Sequence, residues 1–301
     1  MYTLEGKIPR LLVLLGFCLV LGGIFALGGI ALCKPIFNTN ISDITSLISD
    51  IEQPQSIVIL KFLQLLNTLG LFVAPGILFA LLFIKQPLQN LQLNQKLSSV
   101  NIFLVFILMY SLLPAMNWLV EWNQNLDLPE ALGNLENWLK VKEENAMKLT
   151  HAFLKMEGNS DLWVNLVLIA VLPAIGEELI FRGLVQKIIN KNINTPHLGI
   201  WISAILFSAL HMQFYGFFPR MFLGAFFGYI YVWGKSLWYP ILAHFINNAT
   251  AVLIAYKLGI EGMEKQFDTL GASNETYVYS ILGTVIFAFF LFRFYQRNKS
   301  A

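Results

Sequence analysis

Glu177, Glu178 and Arg182 fall in one apolar segment of this chain, His211 in a second, and His244 and Asn248 in a third. A carboxylate can take a proton from water, an imidazole can take or give one, and an amide can donate to a carbonyl oxygen that gains charge. In kind, this is a hydrolytic set. Its surroundings are costly: a charged residue at mid-bilayer costs about 2.5 to 3.5 kcal/mol on insertion scales. Two carboxylates and a guanidinium in one helix therefore require partners or a polar cavity, and the six residues read as one polar site inside a membrane protein.

The spacings divide the work. Glu178 and Arg182 are four apart and share a helix face, while Glu177 lies about 100° round the helix, so the two glutamates need not do the same job. A guanidinium can hold a carboxylate through two parallel hydrogen bonds, and a purely structural ion pair accounts for that pattern equally well. His211 closes Phe-Ser-Ala-Leu-His; alone it reads as a hydrogen-bonded core residue. His244 and Asn248 are one turn apart and can point two donors at one spot, although an isolated pair of this kind more often joins helices.

The segments that carry these residues belong to an integral membrane protein. Hydrophobic residues make up 56% of the 301 and charged ones 13%, with a mean hydropathy of +0.63, against about a quarter charged in soluble domains. A net charge of +2 gives no footing for nucleic acid, which leaves membrane lipid as the partner that composition implies. Cys18 and Cys33 are separated by about 22 Å along one predicted helix, too far to bridge.

Stretches long enough to span run at 11–33, 56–84, 100–120, 162–190, 198–215, 217–234, 237–256 and 277–295, judged against roughly 20 residues per span. The fold class is all-α: a polytopic membrane protein of about eight transmembrane helices, with a polar cavity between segments four, five and seven. Residues 1–301 read as a single membrane domain, since no internal repeat or soluble module interrupts them. The first segment exceeds a signal-peptide core in length and is read as an anchor. Placing both termini in the cytoplasm puts Lys85, Lys96, Lys187, Lys191, Lys235, Arg293, Arg297 and Lys299 in inner segments, as the positive-inside rule asks. The outer loops then hold Asp43, Asp50, Glu52, Glu130, Glu136, Glu143 and Glu144.

The outer segment 121–160 mixes Leu128, Leu132, Leu135, Trp138 and Leu139 with charges at helical spacing. It suits either an amphipathic helix on the membrane surface or a loop packed on the bundle. Lys61 would snorkel or line the cavity. Pro173 removes a helix hydrogen bond and frees the carbonyl of Ile169, and Gly224 and Gly228 form a Gly-x-x-x-Gly suited to close packing inside the bundle. At 1.5 Å per residue, Glu177 and His211 come about 20 Å from the inner ends of their helices and His244 about 10 Å, which fits a cavity open to the cytoplasm.

Three motifs in order carry a family resemblance: Glu-Glu-x-x-x-Arg at Glu177, Glu178 and Arg182, Phe-x-x-x-His at Phe207 and His211, and His-x-x-x-Asn at His244 and Asn248. In these the chain resembles the CPBP intramembrane proteases, the CAAX prenyl endopeptidases and bacteriocin-processing enzymes also called the Abi family. The resemblance covers roughly 160–256, read as a catalytic core. It implies hydrolysis of a peptide bond in a membrane-associated peptide or protein substrate, prenylated substrates being among those of the family. Glu177 would be the general base, paired with His211 to hold and deprotonate a water; His244 and Asn248 would donate to the oxyanion; Glu178 and Arg182 would orient the site.

For cofactors the reading is none, or a single divalent zinc. Glu177, His211 and His244 supply the two-histidine, one-carboxylate set that a catalytic zinc accepts, yet a metal-free glutamate mechanism uses the same atoms. The metal-free route gives Asn248 a role, and no His-Glu-x-x-His helix is present. Two other functions compete: a non-catalytic immunity or interaction protein of the same family, which could lose the acid and histidines that are intact here, and a proton-coupled transporter, whose inverted repeats are not evident. A Gly-x-Ser-x-Gly nucleophile motif is missing, and no aspartate falls in the apolar part of a predicted span.

Overall fold

A computed structural model describes residues 6–40, 51, 53–191 and 193–299; Asp43, Asp50 and Glu52 of the first outer loop lie outside the described residues. Among the described residues there is no strand. The main helices are α1 (Lys7–Phe37), α2 (Pro54–Phe83), α3 (Ser99–Gln124), α4 (Gly133–Leu154), α5 (Asn159–Asn190), α6 (His197–Ala209), α7 (Phe217–Gly234), α8 (Trp238–Gly262) and α9 (Tyr277–Lys299). Each of the eight apolar segments expected from hydropathy contains a helix, although the fifth, expected over 198–215, is α-helical only over His197–Ala209; the extra helix is the amphipathic α4. Six of them are long and apolar enough to cross a membrane, namely α1, α2, α3, α5, α8 with its extension to Phe267, and α9. With 13 and 18 residues, α6 and α7 are the short pair. The protein is a polytopic all-α membrane protein.

Burial separates the lipid-facing helices from the central one. In its most apolar stretch α5 is 50% buried, against 11% for α1 and for α9. The outer pair accordingly exposes Leu12, Leu19, Leu27, Val285 and Phe289. That pattern is stable only where lipid replaces water as the solvent. Around α5, Leu179, Ile180, Phe181 and Leu184 pack with Phe79, Leu91 and Leu237.

Polar side chains tie the helix ends into two rims. At the end that holds the start of α1 and the close of α9, Asn101 donates to Tyr239 Oη at 3.2 Å and to Asn298 Oδ1 at 2.9 Å, and Trp238 Nε1 donates to Leu93 O at 2.9 Å. At the opposite end Asn117 donates to Phe267 O at 2.8 Å, Asn123 to Phe214 O at 3.2 Å, and Ser280 to Pro114 O at 2.8 Å. The amphipathic α4 lies at this second end. Its last turns pack on the bundle, where Asn165 donates to Phe153 O at 2.6 Å, while Leu135, Trp138, Val141 and Met147 stay exposed.

Two helices widen into π turns just ahead of a proline: Leu69–Val73 before Pro75 in α2, and Leu166–Val171 before Pro173 in α5. Proline has no N–H and its ring collides with the preceding turn. One extra residue per turn relieves that collision and shifts the facing side chains.

The Gly-x-x-x-Gly of α7 lets that helix press against α5 and α6. Arg182 Nη2 donates to Gly224 O at 2.8 Å and Gln186 Nε2 to Gly228 O at 3.3 Å. A Cβ on Gly224 would stand 3.0 Å from Arg182 Nη2 and 3.3 Å from the Ala204 Cα. Gly224→Val should therefore cost about 1–3 kcal/mol by overpacking, read as a lowered thermal unfolding midpoint of the purified protein. An unchanged midpoint would contradict this packing.

Candidate active site

Arg182 and Glu178 are both wholly buried. Their ion pair, 2.7 Å from Nη1 to Oε1, is too deep for water to solvate either charge. Taking two ions out of water costs several kcal/mol each unless further bonds compensate. Here the Gly224 carbonyl takes a second guanidinium hydrogen bond, and the Phe207 and Phe227 rings lie 4.8 and 5.4 Å from its carbon, a favourable placement for a cation on aromatic faces.

The same carboxylate oxygen orients the next residue of the site. His244 Nδ1 donates to Glu178 Oε1 at 2.9 Å, and the ring stacks on Phe227 with centroids 5.5 Å apart. An ionised carboxylate only accepts, so Nδ1 carries the hydrogen and Nε2 is turned towards Glu177. Glu177 Oε2 stands 3.9 Å from that Nε2, a charge-pair distance beyond hydrogen-bond reach. The 100° between the two glutamates thus separates their environments: Glu178 is sealed in the bundle, and Glu177 is partly exposed at a cavity wall.

That cavity, of about 370 Å³, is lined by Glu177, His211, His244 and Asn248, with Arg220, Gln64 and Asn247 among its other walls. Segments four, five and seven, now α5, the end of α6 and α8, all contribute to its lining. His211 follows the last turn of α6 and is exposed; its Nδ1 is bonded to Phe207 O at 2.9 Å. Among the described residues no hydrogen bond or ion pair joins His211 to Glu177, and both line the cavity. Asn248 donates to Ile169 O at 2.9 Å, the carbonyl that Pro173 deprives of its helical partner. One of its two amide hydrogens is thereby committed, and its Oδ1 accepts from Asn247 at 3.1 Å.

One expectation is corrected, the side on which the cavity opens. Leu149, Thr150 and Phe153 of α4 complete its wall, and the exposed Thr150, His211 and Asn247 mark its mouth at the α4 end, opposite both chain ends. The mouth differs from the expected side because α6 is short and ends at the site instead of crossing past it. The fit of the residues to a zinc ion is a separate matter. Among the described residues no three His, Cys, Asp or Glu side chains gather closely enough to hold a metal ion, and His211 commits its Nδ1 to Phe207 O of its own helix. Glu177, His211 and His244 do not fit a zinc site as they stand.

Lys61 lies elsewhere, in a separate cleft of about 760 Å³ between α2 and the start of α5, with Lys155 and Asp161. Sequence reasoning passed over Arg220, although a guanidinium inside the apolar run 217–234 carried the same signal as the residues it did find. Arg220 donates to the Gln213 side chain at 2.7 Å and its carbonyl at 3.3 Å, and Gln213 donates to Glu143 of α4 at 3.3 Å. Burial raises the Glu143 carboxyl above its usual range, while Arg220 and the Tyr215 N–H pull it back. This chain of contacts joins α4 to the cavity rim.

Removing the guanidinium leaves Glu178 buried and uncompensated. Arg182→Met should cost about 3–5 kcal/mol, seen as a sharply lowered unfolding midpoint; a wild-type midpoint would show that the pair is not what holds this region.

Comparison with known proteins bears on residues within this same stretch. Residues 159–250 match the family model described as Rce1-like, Type II CAAX prenyl endopeptidase, so the resemblance read from the three motifs is borne out there. The chain is also 29% identical over 89 residues to the uncharacterized protein YpbD of Bacillus subtilis (strain 168), a match that covers 28% of this chain and 42% of that relative. No solved structure matches.

Proposed function

From a chain whose residues 159–250 match the Type II CAAX prenyl endopeptidases, we propose an intramembrane endopeptidase in which Glu177 activates water. The observation that carries the reading is the meeting of Glu177, His211, His244 and Asn248 at one cavity, with His244 held by a buried Glu178–Arg182 pair. Glu177 takes a proton from water as the oxygen attacks the peptide carbonyl carbon. His211 offers Nε2 to orient that water. The uncommitted amide hydrogen of Asn248 donates to the oxyanion, as does His244 through Nε2 in its doubly protonated form, and Glu177 returns the proton to the departing amine as the C–N bond breaks. No step is routed through a metal.

The proposal is tested with purified protein and quenched prenylated and unprenylated peptides. Glu177→Gln should abolish cutting while the protein still folds, and Asn248→Ala should lower kcat by about 10² to 10³. Full activity of Glu177→Gln would overturn the assignment.

Orientation belongs to the same reading. The loops and helix ends on the side of the chain termini carry Lys85, Lys96, Lys187, Lys191 and Lys235, which supports a cytoplasmic position for that end. The cavity mouth at the α4 end then faces outward, and the substrate is a membrane-anchored polypeptide presented on the non-cytoplasmic side. A Cys18→Ala/Cys33→Ala background with Asn145→Cys on α4 or Gln95→Cys in the opposite loop, both exposed positions, tests this without altering loop charge. In intact cells a membrane-impermeant maleimide should label the Asn145→Cys protein and reach the Gln95→Cys protein only after permeabilisation. The reverse pattern would place the mouth in the cytoplasm and leave the peptidase reading standing.

A further inference from the structure

A further cavity, of about 620 Å³, opens at the opposite end of the bundle from the candidate active site. Its rim carries Arg10 of α1, Lys85 after α2, and Lys187 and Lys191 one turn apart at the end of α5. Phe79, Leu184 and Tyr231 contribute apolar floor, and Lys187 Nζ lies 5.6 Å from the Tyr231 ring centroid. No Asp or Glu lines it among the described residues. Like charges one helical turn apart destabilise each other, so Lys187 and Lys191 are most stable with an anion beside them. An apolar slot below a cationic rim matches a molecule with a phosphate above acyl chains. Basic pockets between transmembrane helices on the cytoplasmic side hold anionic lipid headgroups in this manner.

We infer that this cavity binds the phosphate headgroup of an anionic phospholipid, with the upper acyl chain on the Phe79–Tyr231 floor. The inference does not depend on the peptidase reading. It has a consequence for it, because Gly183 and Gln186 line the same cavity and follow Arg182 on α5. A bound lipid would brace the end of the helix that carries Glu177 and Glu178.

The test uses the delipidated full-length protein in neutral detergent and a thiol-reactive dye, since Cys33 is buried and Cys18 partly so and both react on unfolding. Phosphatidylglycerol should raise the unfolding midpoint by several degrees, while phosphatidylcholine and inorganic phosphate should leave it near the starting value. Lys187→Gln/Lys191→Gln should lose that rise, as should the surface variant Lys85→Gln in part, whereas Lys140→Gln/Lys142→Gln on α4 should keep it. Equal rises with phosphatidylglycerol and phosphatidylcholine, or a full rise in the Lys187→Gln/Lys191→Gln protein, would overturn the site. A full rise with inorganic phosphate alone would overturn the lipid as its occupant.

Discussion

A guanidinium sealed among apolar helices must be neutralised and hydrogen-bonded on the spot, and much of this bundle is arranged around meeting that demand for Arg182. Glu178 supplies the charge, the Gly224 carbonyl a second acceptor, and Phe207 and Phe227 the faces. Each comes from a different element or a different turn. Gly224 must be a glycine for its carbonyl to come so close, and the short α6 must end where Phe207 covers the cation. Because Glu178 Oε1 also receives His244 Nδ1, the interaction that offsets the buried charge also sets the direction of the imidazole beside Glu177.

The prolines extend this economy to the other wall of the cavity. Pro173 lies one turn before Glu177 and widens α5 into a π segment, leaving Ile169 O for the Asn248 amide of α8. One sequence feature therefore turns Glu177 relative to its neighbours and also anchors the helix that brings His244. Under the proposed chemistry, rigidity at both histidines matters because a shift of about 1 Å in reacting groups can cost about 10²-fold in rate.

Much of this was legible in the sequence. The apolar helices follow largely from run length, and the Glu178–Arg182 pair from a four-residue spacing that places both on one helix face. The freed Ile169 carbonyl was legible from Pro173, but its partner was not, because Asn248 could be matched to it only once α5 and α8 were packed. The side of the cavity mouth was misjudged for a similar reason. It depends on α6 stopping at His211 and on α4 folding back with Leu149, Thr150 and Phe153, and hydropathy reports neither. Arg220 was legible and overlooked, its charge standing in an apolar run as plainly as that of Arg182.

The central claim is that Glu177 acts on water and not on the peptide itself. Single-turnover cleavage in ¹⁸O-labelled water, by purified protein whose metal content has been measured, addresses it directly. The account predicts one labelled oxygen in the new carboxylate of the product and none in the Glu177 side chain. Label appearing first in Glu177, as a covalent acyl-enzyme would leave it, would contradict the account.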